Sequence, residues 1–64
     1  MKSVEYTDWK ENARVYLPYH KDKHNNYGVS GTLKKNYDFP VVWYVHCDTG
    51  GTVTLSENSI IEYI

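Results

Sequence analysis

Val41-Val42-Trp43-Tyr44-Val45-His46-Cys47-Asp48-Thr49-Gly50-Gly51-Thr52-Val53-Thr54-Leu55 is the stretch on which the fold turns. Val41, Trp43, Val45, Val53 and Leu55 hold odd positions, whereas His46, Thr52 and Thr54 hold even ones. A period of two means that one face of an extended chain is buried and the other is wet. The alternation stops at Asp48-Thr49-Gly50-Gly51 and then resumes, which reads as a tight hairpin because Gly enters positive φ without steric cost. Moving outward, Val15, Leu17, Val29 and Leu33 keep the same parity, between Arg14, Ser30, Thr32 and Lys34. These nine odd-numbered apolar residues form the predicted core.

Strands are predicted over 13–19, 27–34, 41–47, 51–55 and 59–63, giving an all-β, antiparallel five-stranded domain. The first connection, His20 to Asn26, is polar and closes on Asn25-Asn26, a loop signal. The second ends in Pro40, which opens a strand but does not occupy its middle. Ser56-Glu57-Asn58-Ser59 reads as one helical or 3-10 turn. Ile60 and Ile61 are consecutive, so pattern alone leaves the last register open. Ahead of the barrel, residues 1–11 form an extension in which Thr7 to Glu11 makes one helical turn, Thr7 capping it. Trp9 is expected to fold back over one end of the barrel, and Asn12 to take a left-handed turn into the first strand.

The chain has 64 residues, which bounds it to one domain near the lower size limit for folding without metal or disulfide support. Seven Tyr, two Trp and one Phe compensate, because each aromatic buries on the order of 150–250 Å². A single cysteine, Cys47, excludes an internal disulfide. No apolar run approaches the ~20 residues of a membrane span, and the opening Met1-Lys2-Ser3-Val4-Glu5 has no signal-peptide core, so a cytoplasmic protein is expected. The net charge of −1 argues against a general nucleic-acid binder. Its distribution is uneven: Lys21, Lys23, Lys34 and Lys35 face only Asp22 in residues 20–35, while Asp38, Asp48, Glu57 and Glu62 are without a base in residues 36–64.

This order of short strands, with a long first loop, a tight third hairpin and a one-turn element before the last strand, resembles the SH3-like small β-barrels, including the KOW-like and Tudor-like modules. The likeness is carried by Trp9-Lys10-Glu11-Asn12-Ala13-Arg14-Val15-Tyr16, by Gly28-Val29-Ser30-Gly31-Thr32-Leu33, by the Val41–Leu55 hairpin and by Ser59-Ile60-Ile61. Where those modules commonly place a glycine before the first strand, Asn12 stands here. A narrower likeness is to short phage-encoded SH3-like proteins, through Tyr16-Leu17-Pro18-Tyr19-His20, His24 and Gly28-Val29. It implies a phage source more than a mechanism.

Among chemical constellations, His20 and His24 stand four apart, a zinc spacing on a helix but of little meaning in a loop. His46 and Cys47 point to opposite faces of one strand and do not readily share an ion, so Cys47 reads as a small buried apolar residue. No nucleophile elbow, Gly-rich phosphate loop or paired carboxylates occur, and neither an enzyme nor a cofactor is expected. Contact residues are more promising. Tyr16 and Tyr44 are predicted to face outward as an exposed pair. Lys21 and Lys23 of the first loop and Lys34 and Lys35 of the second are expected to converge around Tyr27 and Tyr37. The expectation is a non-enzymatic module docking onto a host or phage protein, in host takeover or in the virion. The alternative is a KOW-like nucleic-acid binder using the four lysines, which suit phosphate better than base-specific contact. The oligomeric state is open.

Overall fold

The computed structural model describes residues 3–64. The chain is all-β, with no α-helix among the described residues. In chain order the elements are β1 (Ser3–Val4), a 3-10 turn (Tyr6–Asp8), β2 (Arg14–Lys21), β3 (Tyr27–Asn36), β4 (Val42–Cys47), β5 (Thr52–Thr54) and β6 (Ile61–Tyr63). They form one antiparallel sheet in the order β1-β6-β2-β3-β4-β5. The long β3 is its spine, and β4 pairs along it from Gly31↔Cys47 to Asn36↔Val42.

Two features differ from the expected five-stranded barrel. The sheet has six strands, because Ser3 and Val4 pair with Glu62 and Ile61. Two residues are too few for a period of two to show. The sheet is also open, with β1 and β5 at its two edges. Trp9 reaches across the open sheet from the β1 edge to β4. Its indole N–H donates to the Val4 carbonyl (3.1 Å), while its ring meets Trp43 of β4 edge-on.

The inward face carries Trp9, Val15, Leu17, Val29, Leu33, Val45, Cys47, Leu55 and Ile61, all buried. Thus Trp9 covers the core as expected, and Ile61 rather than Ile60 points inward. Three predicted core positions differ. Val41 is exposed, because β4 begins only at Val42, after Phe39-Pro40 has kept the chain out of the ladder. Trp43 and Val53 are half-buried and pack against the core from its rim.

The turns follow from residue type. Asn12 (φ 71°) is left-handed, as expected, and Gly50 and Gly51 take the positive φ of the β4–β5 turn. The N-terminal turn starts two residues earlier than predicted, and no side chain caps it: Glu5 stands at its N-cap, not Thr7. Ser56–Ser59 closes as a single turn through a Ser59 N–H to Ser56 carbonyl bond. Pro18 falls where the β2–β3 register shifts, between Leu17 and Lys21, so its missing N–H is absorbed in a bulge. β2 therefore runs to Lys21, β3 runs on to Asn36, and β6 starts only at Ile61.

Candidate functional site

The rim beyond Leu33 is where the sheet carries its aromatic rings. β3 and β4 both run past the core here, with Lys35 opposite Trp43. The segment before β2 is drawn alongside by Asn12 N–H to the Leu33 carbonyl and Leu33 N–H to the Ala13 carbonyl. That arrangement places Tyr6, Trp9, Glu11, Lys35, Tyr37 and Trp43 together. Tyr6 meets Trp9 edge-on at 5.0 Å, and Trp9 meets Trp43 in the same way at 5.7 Å. The Lys35 ammonium lies 5.0 Å from the Trp43 ring and 5.2 Å from the Tyr37 ring. Each such contact stabilises by about 0.5–1 kcal/mol at an exposed site.

Tyr37 is fixed further by its hydroxyl, which donates to the Glu11 carboxylate. That bond, with some desolvation and the Glu11 charge, raises the Tyr37 phenol above its usual range and keeps it neutral. Beyond this ordered row the β3–β4 loop displays apolar surface: Tyr37 is 65% exposed, Val41 51% and Phe39 99%. A fully exposed Phe two residues beyond Tyr37 and two before Val41 is a large apolar area open to a partner. No pocket opens among the described residues.

The structure distributes the sequence-predicted residues over three places. Tyr37 and Lys35 belong to this rim. Lys34 lies on the opposite face of β3, its ammonium bonded to the Asn12 side chain at 2.8 Å. Lys21 and Tyr27 pair at the far end of β3, with the ammonium 5.0 Å from the ring. Lys23 sits in the loop next to them, its ammonium reaching towards Gly50. Lys21/Lys23 and Lys34/Lys35 therefore do not converge. A β-hairpin places its turns at alternate ends, and the strand between Tyr27 and Lys34 spans on the order of 20 Å.

Tyr16 and Tyr44 do share the outer face, but they are half-buried and not a pair. Tyr16 stands opposite Ser30, whereas Tyr44 stands opposite Lys34. Tyr16 lies over Gly28, whose φ of 92° and missing Cβ leave room for the phenol. Between the two tyrosines runs a polar bridge. Arg14 of β2 reaches across β3 to grip Asp48 after β4 with both guanidinium nitrogens, one at 2.8 Å, and also donates to Thr32. The guanidinium holds the Asp48 carboxyl below its ordinary range. Asp48, one of the acidic residues of 36–64, is thus neutralised by a base from β2.

The loop from Asp22 to Asn26 is organised by the Asp22 carboxylate, which accepts from the backbone N–H of His24 and of Asn26. Those bonds, that of Asn26 foremost, lower the Asp22 carboxyl. His46 is exposed and Cys47 buried on opposite faces of β4. Among the described residues no three His, Cys, Asp or Glu side chains are grouped to hold a metal, and no helix is long and apolar enough to cross a membrane.

No family model, curated protein or solved structure matches this chain. Sequence reasoning missed Tyr6, Trp9 and Trp43 as site residues because Trp reads as core. The available signal was positional: Trp43 is the second odd residue after Pro40 and the first within β4, at a strand end where burial fades.

Proposed function

We propose that this protein is a non-enzymatic binding module that docks onto a protein partner through the aromatic rim. The observation carrying this reading is Phe39, 99% exposed between Tyr37 and Val41 on the loop that continues from the rim, where Lys35 links Tyr37 to Trp43 of the row Tyr6–Trp9–Trp43. Burying that loop in a partner removes apolar area from water at ~25 cal/mol per Å². Lys35, already held over two rings, supplies a cation of fixed position. The SH3-like reading of the fold belongs to the same proposal: β2-β3-β4-β5 is a four-strand meander, and the strand that follows it, β6, returns beside β2. The likeness to short phage proteins makes a host or phage protein the partner of choice, in the host cytoplasm.

The test is parallel affinity capture with the unaltered chain, with Y37S/F39S and with K21E/K23E. A stoichiometric protein retained by the first and third and lost by the second is the expected result. Equal recovery on all three overturns the rim as the contact. Nucleic-acid binding is the competing reading, supported by the Lys21–Tyr27 and Lys35–Tyr37 contacts. It predicts a log–log salt slope of about −2 for either lysine pair acting alone, and loss of binding in the lysine variant.

A further inference from the structure

We propose that β5 is a self-pairing edge, along which a second copy of this chain docks antiparallel to continue the sheet. β5 is the last strand of the sheet and pairs only with β4. Its hydrogen-bonding parity is settled by its neighbours: Cys47 N–H donates to the Gly51 carbonyl, and Leu55 N–H donates to the Trp43 carbonyl. Gly51, Val53 and Leu55 therefore turn their backbone groups towards β4. Thr52 and Thr54 sit in the alternate, non-bonded positions, so their N–H and C=O groups point away from β4 along the open edge. No backbone partner for them occurs among the described residues.

Open edges are normally protected by Lys, Pro, a bulge or an inward-pointing charge. β5 has none of these and is blunted only by its length of three residues: Thr49-Gly50-Gly51-Thr52-Val53-Thr54-Leu55-Ser56 contains no charged residue and no proline, and the β4–β5 register is unbroken. The occupant follows from the sequence of the strand itself. Thr52-Val53-Thr54 reads the same in both directions, so a two-fold axis through Val53 places Thr52 opposite Thr54 of the second copy. Those are the residues with free backbone groups, and each donates and accepts once across the axis. The same axis stacks Thr against Thr on the exposed face and sets the two half-buried Val53 side chains together on the core side. An isologous contact of this kind closes on itself, uses up the β5 edge and leaves only the two-residue β1 at either end of the joined sheet. A strand bearing charge would repel its own image; this one does not.

The experiment is sedimentation of the full chain across micromolar to millimolar concentration, combined with amide hydrogen exchange read residue by residue. The expected result is a reversible dimer in which the Thr52 and Thr54 amides become protected as concentration rises. T54P removes one outward N–H without touching a bond to β4, and should weaken self-association at least tenfold with near-UV circular dichroism unchanged. T52K/T54K places like charges across the axis, should weaken it similarly, and decides the matter if the proline variant unfolds. A chain that stays monomeric at millimolar concentration overturns the proposal. So does a dimer in which both amides exchange as in the monomer, or one that both variants leave intact.

Discussion

Gly31 is buried on β3 between Val15 and Cys47, and a Cβ there would run into the His46 carbonyl and come 2.7 Å from the Val45 side chain. The obstacle is backbone held in a ladder, so it does not swing aside. Gly31→Ala should therefore cost at least the ~1–3 kcal/mol of an overpacked core, measured as a lower urea midpoint. Cys47, its neighbour across the ladder, shows the opposite use of space. Burial, with the Asp48 charge adding to it, pushes the thiol above its usual range. The reactive thiolate is thus scarce at neutral pH, and maleimide labelling of the folded chain should be slow until denaturant exposes the sulfur. Labelling at the rate of a free thiol would show that β4 opens on its own.

Among the elements, β2, β3 and the β4–β5 turn are tied on the outer face by Arg14 and Asp48, both half-exposed. Asp48 has a folded-state value below its unfolded one, so its contribution is fully present above the ordinary carboxylate range of about 4 and is lost as pH falls through the depressed value. Asp22 adds to the same acid limb through its loop bonds. Thermal melts between pH 5 and 2 should show a drop that D48N flattens in part and D22N/D48N flattens further. An unchanged acid limb in D48N would mean that water screens the pair completely.

The elements also show what sequence can and cannot convey. The hairpin around Gly50-Gly51, the left-handed Asn12 and the inward set Val15, Leu17, Val29, Leu33, Val45 and Leu55 were legible, because alternation and turn chemistry are local. β1 was not legible, since a pair of residues has no period. The choice of Ile61 over Ile60 depends on pairing with Val4, far away in sequence. The separation of the lysine pairs depends on the length of β3, which extends past the last apolar residue of its pattern. The rim was hidden for a related reason: Trp43 keeps the core's parity but lies beyond the core's end.

At the scale of the whole molecule, Trp9 does most to hold a thin core together. It is buried, touches rings on both sides and bonds back to Val4. A domain of this size has a stability of roughly 3–10 kcal/mol, and Trp→Ala in a core costs about 3–5. Trp9→Ala should leave much of the chain unfolded at 25 °C, while Trp43→Ala at the half-buried rim should cost less. Equilibrium denaturation of both variants checks the order, and a larger loss for Trp43 would move the core's boundary to include the rim.

The pairing of Val4 with Ile61 joins residues 57 apart (61 − 4), and Val15 finds Tyr63 across 48 (63 − 15). During translation β2, β3 and β4 are made before β6 and form a meander whose β2 edge has no neighbour until the residues of β6 follow. The growing chain thus passes through a stage in which a real strand edge is unpaired, and the sheet is completed only once β6 has followed. A ribosome stalled before Ile61 should hold a chain that is protease-sensitive throughout, and one stalled with β6 clear of the exit tunnel should hold a resistant one.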